Sequence, residues 1–326
     1  MTIQLSDHFT YKKLAKFVLP SVFMMVFVSV YGVIDGLFVS WFAGKDSFAS
    51  INFIMPFIMI LGGMGFMIGS GGTALVAKTL GEGNKRRANE YFSMMVIFSV
   101  LLGIALTAFG IAFLKPIAYF LGASDDMISD CLIYGRIVIG FTPTFLLQNL
   151  FQNFLVAAEK PRLGLIATVG AGVTNIVLDA LFVGLFKWGI VGAGIATGMS
   201  QCVGTIIPII YFCKSKESPL RFVKVRLEAK PVIKACVNGS SELMSNISTS
   251  IVSMVYNFQL MNHLGKDGVS AYGVLMYVQF IFIAMYIGYV IGVSPLIGYN
   301  YGAKNADELK GLFKKSIIIK IGRAHV

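Results

Sequence analysis

Charge is what this sequence has least of. Of its 326 residues, 13% are Asp, Glu, Lys or Arg, 56% are hydrophobic, and the mean hydropathy is +0.77. Soluble domains carry about 25% charged residues, so the chain reads as an integral membrane protein. Cysteine is scarce as well. Cys131, Cys202, Cys213 and Cys236 are scattered, with no C-x-x-C pair and no neighbouring histidine cluster. That spacing excludes a disulfide frame and a thiolate metal centre and leaves small apolar packing residues. Histidine is confined to His8, His263 and His325, near expected helix ends or chain termini, so metal-centred chemistry has no ligand set. There is no G-x-x-x-x-G-K-S/T to hold a nucleotide, no G-x-S-x-G and no H-E-x-x-H. No carboxylate lies in a Gly-x-Gly-Asp context. The chain is expected not to be an enzyme and to carry no organic cofactor.

What is there is a series of long apolar runs, at about 17–41, 51–76, 92–118, 131–157, 163–186, 188–212, 235–262 and 269–299. Each has the roughly 20 residues that a spanning helix needs. A ninth begins near Phe313. Runs two and eight are long and broken by glycine, so a bend or an interfacial extension is expected in each. No cleavable signal peptide is evident, since the first residues are polar and include Asp7.

Assigning the loops alternately puts 20 Lys and Arg on one side: residues 12, 13, 16, 78, 85–87, 160, 162, 214, 216, 221, 224, 226, 230, 234, 304, 310, 314 and 315. Only Lys45, Lys115, Lys187 and Lys266 fall on the other. Positive loops stay in the cytoplasm. The N-terminus is therefore expected there, and the net charge of +11 calls for no nucleic-acid partner.

An internal repeat sets the organisation. A shift of 221 residues lays Gly44-Lys45-Asp46 on Gly265-Lys266-Asp267, Met55 on Met276, Ile60 on Ile281 and Met64 on Met285. The same register lays Gly71 on Gly292, Gly81 on Gly302, Asn84 on Asn305 and Phe92 on Phe313. The unit is six helices, and an even number makes both copies enter from the same side. The fold class is an all-α polytopic membrane protein of two six-helix lobes in a parallel repeat. Twelve helices are expected when complete, of which about eight and a half are present. Residues 1–212 read as the N-terminal lobe, 213–234 as a cytoplasmic linker, and 235–320 as a partial C-terminal lobe. The final hexapeptide, 321–326, reads as a sequencing artefact at a truncated end.

The most informative residues are polar ones inside apolar runs. Asn175 and Asp179 in run five are four apart and share one helix face. A carboxylate at mid-bilayer costs about 2.5–3.5 kcal/mol on insertion scales. The pair is therefore either a functional site facing a bundle interior or a hydrogen bond between helices. Asp35 in run one is a second such carboxylate, beside Gly36, or else an interfacial residue. Its repeat position is Tyr256, so the site belongs to the first lobe and Tyr256 becomes a possible cleft-lining residue. Thr197 offers a hydroxyl on the small-residue face Gly189–Gly198 of run six, free for a ligand or spent on its own helix. Run four carries Pro143 and two polar pairs, Gln148 with Gln152 and Asn149 with Asn153, which line a cavity or join helices. Arg136 snorkels outward or pairs with a carboxylate. Glu242, in a stripe with Asn246, is a third titrating group or a first-turn carboxylate. The 16 methionines and 27 phenylalanines make adaptable apolar walls or ordinary lipid-facing surface.

Together, Val33-Ile34-Asp35-Gly36-Leu37-Phe38-Val39, Asn175-x-x-x-Asp179, Gly194-x-x-Thr197 and the Gly81-x-Gly83-Asn84 turn resemble the multidrug and toxin extrusion (MATE) family, in its MepA-type bacterial branch. The resemblance covers the chain to about residue 319. It implies a secondary active efflux antiporter that exports cationic amphipathic compounds in exchange for Na+ or H+ by alternating access. It implies a cation-coupling site at Asp35, Asn175, Asp179 and Thr197, with Glu242 where some members carry an acidic residue. Its partners would be small-molecule cationic drugs and the lipid bilayer, and its place a bacterial inner (plasma) membrane, as a monomer. The rivals are a lipid-linked saccharide flippase, which would ring its cleft with Arg, and a non-transporting scaffold.

Overall fold

The computed structural model describes residues 3–215 and 218–322. Among these all regular secondary structure is helical, and the extended lead-in strands at 3–10 and 218–228 pair in no sheet. The helices are α1 (Tyr11–Phe38), α2 (Lys45–Gly81), α3 (Lys85–Phe120), α4 (Ile128–Gly140), α5 (Thr142–Ala157), α6 (Pro161–Asp179) and α7 (Gly189–Lys214). They continue with α8 (Ala229–Asn238), α9 (Ser240–Gly302) and α10 (Ala306–Gly322). Short π-helical stretches, Val39–Ala43 and Ala180–Leu185, extend α1 and α6.

Six of the described helical segments are long and apolar enough to cross a membrane: Tyr11–Phe42, Ser47–Gly81, Lys85–Phe120, Pro161–Leu185, Gly189–Lys214 and Asp267–Gly302. Run four makes a seventh as a broken span, bent by 55° between α4 and α5. The break has a local cause. Pro143 has no N–H to give the preceding turn, and the Thr142 hydroxyl donates to the Ile139 carbonyl at 2.7 Å. Run seven departs from the expectation. Ser240–Leu264 is helical but is not among the spans by hydropathy, because Ser, Thr, Asn and Glu recur along it. It nevertheless runs beside α2, from Gly239 against Met67 to Asn257 at Asn52, and so crosses the same slab.

Of the bend or interfacial extension expected in run two, the length of α2 fits the extension. α2 has no non-helical residue inside it, although its 37 residues exceed a bilayer's thickness. Its glycines serve as contact points. A Cβ on Gly65 would meet the Leu146 backbone at 2.9 Å, and one on Gly69 the Asn153 amide at 2.9 Å. Runs seven and eight, which together make up α9, are two helices that meet at a kink at Gly265 (φ 65°, ψ −155°), the turn glycine that matches Gly44 (φ 98°). At the basic end, Gly83 (φ 82°) corresponds to Lys304 (φ 56°). Asn84 and Asn305, which follow them, cap α3 and α10 by accepting from Arg87 N–H at 3.0 Å and Glu308 N–H at 3.1 Å.

The lobes meet across a pseudo-two-fold axis. Gly81 lies on the Tyr299 carbonyl, and Gly302 lies on the Lys78 carbonyl. Gly71 lies on the backbone of Ala235 and Gly239, and Gly292 lies on Val18. These pairs exchange under the 221-residue shift found in the sequence. Reciprocal contacts of this kind mark a two-fold relation. Because the related helices run the same way through the slab, the axis lies along its normal. The backbones come this close only because the contact residues lack a side chain.

The connector is more ordered than a free linker. α8 starts at Ala229, so the last six residues read as linker are helical, with Pro231 in the first turn, where a missing N–H costs nothing. Before it, Arg221 N–H donates to Asn89 at 2.8 Å and Val223 N–H to Ser93 at 3.0 Å, laying the strand along α3. Phe222 joins a buried ring cluster there. Phe92, fully buried, lies 5.0 Å from Phe154, 4.7 Å from Phe212 and 5.1 Å from Phe222. Phe92→Ala should cost about 3–5 kcal/mol. A thermal-unfolding scan in detergent should show a clear drop in midpoint, and an unchanged midpoint would contradict the packing described. Residues 323–326 of the final hexapeptide lie outside the described residues, while Ile321 and Gly322 close α10.

Candidate cation site

Two helices bring the carboxylates together. α1 and α6 run side by side and in the same direction, held close by Gly172, where a Cβ would meet Phe27 at 2.5 Å and Tyr31 at 2.8 Å. One turn further along each helix come Asp35 and Asn175. Asp35 consequently lies against both Asn175 and Asp179. Asn175 and Asp179 are 1% and 0% exposed. Asp35 is within hydrogen-bonding reach of both other side chains, but two ionised carboxylates have no proton to share. Asp35 Oδ1, Asn175 Oδ1, Asp179 Oδ1 and Asp179 Oδ2 are buried and without a partner. Buried polar groups are normally satisfied, so this cluster is an exception that needs an occupant.

Both carboxylates also sit where α-helix gives way to π-helix. Val39 N–H reaches back to the carbonyls of Asp35 and Gly36 at the head of Val39–Ala43, and Asp179 immediately precedes Ala180–Leu185. π-helical turns are uncommon and gather at functional sites.

Thr197 comes level with them on α7. Gly192 of α7 rests on Phe182, and Gly170 of α6 lies near Val203 and Ile207, so Thr197, between these contacts, stands at the depth of Asn175 to Asp179. Its hydroxyl is buried and unpartnered. The rest of the small-residue face is spent on packing, with Gly194 against Ile137 and Tyr134 and Gly198 against Phe141.

The four polar residues of α5 divide by face. Asn149 ties α5 to α2 by donating to the Gly62 carbonyl at 3.2 Å, while Asn153, packed near Gly69 on the same side, donates to the Asn149 carbonyl of its own helix at 3.0 Å. Gln148 packs instead against Gly204 of α7, and the Tyr31 hydroxyl comes up to it within the field of Asp35. Gln152, one turn on, is buried with Oε1 unpartnered, as is Gln201 Oε1 on α7. Sequence reasoning passed over Tyr31 and Gln201. The available signal was spacing, since Tyr31 is one turn from Asp35 and Gln201 one turn from Thr197.

The remaining candidates lie elsewhere. Glu242 is in the first turn of α9 and half-buried. The Asn246 amide donates to the Glu242 main-chain carbonyl at 2.8 Å, and its Cβ lies against Gly63. Tyr256 is 53% exposed and stacks on Tyr272 at 5.0 Å. Arg136 is exposed and makes no ion pair among the described residues.

The unpartnered atoms of Asp35, Asn175, Asp179 and Thr197 are all oxygens. Such a set suits a hard cation, which takes carboxylate, amide and hydroxyl oxygen. It equally suits protons carried by the two carboxylates. No group of three or more His, Cys, Asp or Glu that could hold a metal occurs among the described residues, so a tightly bound transition metal is not what these side chains are built for.

A helical membrane protein of two symmetry-related halves, with unpaired carboxylates buried in one of them, is the architecture of a secondary transporter. The family model described as MatE matches residues 20–181 and 243–324, and the chain belongs to that family. It is 24% identical over 314 residues to the multidrug export protein MepA of Staphylococcus aureus (strain MRSA252), covering 96% of this chain and 69% of that protein. The MepA of Staphylococcus saprophyticus subsp. saprophyticus is 24% identical over 310 residues, covering 94% and 68%. Among solved structures, the MATE multidrug transporter DinF-BH superposes with a TM-score of 0.89 at 24% identity, covering 98% of this chain and 74% of that one. An outward-facing MATE family transporter of the MOP superfamily gives a TM-score of 0.87 at 21% identity, covering 98% and 71%.

Proposed function

We propose that the complete protein is a secondary active multidrug antiporter of a bacterial plasma membrane. It exports cationic amphipathic compounds in exchange for Na+ or H+, with its basic loops in the cytoplasm. The observation that carries this reading is the set of unpartnered oxygens on Asp35, Asn175 and Asp179, brought together between α1 and α6 in a chain of this family, with the Thr197 hydroxyl at the same depth on α7. Two carboxylates facing each other in a buried site repel when both are ionised. A sodium ion or a proton relieves that repulsion and draws α1 toward α6. With the cation absent the two helices ease apart, and Tyr31, Gln148, Gln152 and Gln201 present their polar atoms to the cavity. One cation moving inward gains about 2.3 kcal/mol per 100 mV, which biases the equilibrium between the two openings by more than tenfold. The second lobe has Tyr256 in place of the Asp35 carboxylate, so coupling is assigned to the first lobe.

A saccharide flippase would want arginines in its cleft. Arg136, the one arginine in the expected spans, is exposed. Expressing the full-length gene in a pump-deficient strain separates the readings. Growth in the presence of cationic dyes and quaternary ammonium compounds should be restored. Unchanged susceptibility across such a panel, with the protein present in the membrane, would remove the multidrug reading.

A further inference from the structure

At the basic end, the segment leading into each half is tied to the opposite half. Ahead of α1, Phe9 N–H donates to Glu308 Oε1 at 3.0 Å, and His8 Nδ1 meets Glu308 Oε2 at 2.5 Å. Lys315 Nζ donates to the Phe9 carbonyl at 2.5 Å. Glu308 and Lys315 are both on α10, in the second half. Leu5 N–H donates to Glu159 at 2.7 Å, which anchors the start of the strand to the first half. Leu5 and Phe9 are buried with Leu312 of α10 and Val156 of α5 in one apolar cluster. Asp7 turns the segment by accepting from Gln4 N–H at 3.0 Å and pairing with Lys13 at 2.9 Å. Lys13 and the Gln4 N–H hold its carboxyl below the usual range.

Ahead of α8, the strand at 221–228 does the same in reverse. Its N–H groups are taken by Asn89 and Ser93 of α3, in the first half, and Arg87 of α3 holds Glu228 through Nη1 at 3.1 Å and Nη2 at 2.7 Å. Glu90 pairs with Arg87 at 2.8 Å.

The two ties are related by the internal repeat. The 221-residue shift carries Arg87 to Glu308 and Asp7 to Glu228. The strand positions are acidic in both copies, but only Glu228 meets its helix counterpart; Asp7 pairs with Lys13, and Glu308 is met by the neighbouring His8 and Phe9 N–H. In one tie the helix supplies the cation and the strand the anion; in the other the helix supplies the anion, and the strand supplies His8 and a backbone N–H.

We propose that Gln4–Phe9 and Arg221–Glu228 are a matched pair of latches, each fastening one lobe's lead-in strand to the other lobe. Both must release for the cavity to open at the basic end. The proposal rests on the alternating-access reading and adds to it a gate remote from the cation site.

The test uses the full-length protein in a cysteine-free background carrying Val18→Cys. Val18 is 2% exposed and lies between α1 and Gly292 of α9, so it is reached only when the halves part at this end. Labelling by a membrane-impermeant maleimide in inside-out vesicles reads that opening. Glu308→Ala and Arg87→Ala should each accelerate labelling about tenfold, the effect of losing one charge-assisted hydrogen-bonded tie. The reversal Arg87→Glu with Glu228→Arg, made together with Glu90→Gln to remove the like charge beside position 87, should return it to the parent rate. His8→Ala, on an exposed side chain, guards against misfolding and should give a smaller acceleration in the same direction. Rates within twofold of the parent for all the single variants, or acceleration that the reversal does not undo, would overturn the latch. Failure of the antiport reading is seen separately, as absence of gradient-driven drug movement in the parent, whatever the labelling rates.

Discussion

Asp179→Asn is expected to abolish drug export while leaving the protein in the membrane. Asp179 is fully buried against Asp35, and an amide at this position can still donate to that carboxyl, so the contact is kept when the charge is removed. An amide is isosteric, and it removes the repulsion with Asp35 that a coupling cation would relieve. Expression and thermal stability should therefore hold or improve, since an unpaired buried charge is itself destabilising. Asp35→Asn should behave alike, and the double variant should be no worse than either single one, because both residues act as one site. Loss of export with intact stability separates a coupling role from a structural one. Full resistance with either variant would contradict the site.

Gly81→Leu should have the largest effect on folding. Gly81 and its repeat partner Gly302 lie on main-chain carbonyls of the opposite half, which cannot move aside as a flexible side chain can. Overpacking usually costs about 1–3 kcal/mol, and a backbone obstacle belongs at or above the top of that range. Gly302→Leu should match it, since the contacts are reciprocal. Gly32→Ala is the control, because nothing lies within 4 Å of its added Cβ and a helix-interior alanine is favoured by about 0.5–1 kcal/mol. Thermal midpoints in detergent should fall for Gly81→Leu and Gly302→Leu and hold or rise for Gly32→Ala. Equal midpoints for all three would contradict the pseudo-two-fold interface.

The candidate cation site was visible in the sequence because its cost is visible. A carboxylate inside a run of Leu, Ile and Val has few explanations, and Asp35 and Asp179 stand out for that reason alone. The repeat was legible because glycines and a turn tripeptide keep register, and those same glycines are the contacts across the axis. Other features depend on neighbours that a linear pattern does not name. Gln148 and Asn149 are adjacent and chemically alike, yet successive helix positions point about 100° apart. One reaches Tyr31 and Gly204, and the other ties α5 to α2. Glycines in run two read as a weak point in a helix, and only the partner backbones reveal them as close contacts. Ser240–Leu264 illustrates the opposite difficulty. Its hydroxyls and amides hide a segment that follows α2 through the slab, with Asn246 and Thr249 donating back to carbonyls one turn earlier. The π-helical turns after Asp35 and Asp179 left no mark in residue types.

The most direct test of the coupling claim is transport in proteoliposomes containing the full-length protein, with Na+ and H+ gradients imposed separately. A cationic dye should move against its own gradient when one of the two cations runs down its gradient, and Asp179→Asn should abolish that movement. Cation-driven dye movement that survives in Asp179→Asn, or none in the parent under either gradient, would contradict the assignment of Asp35, Asn175, Asp179 and Thr197 as the coupling site.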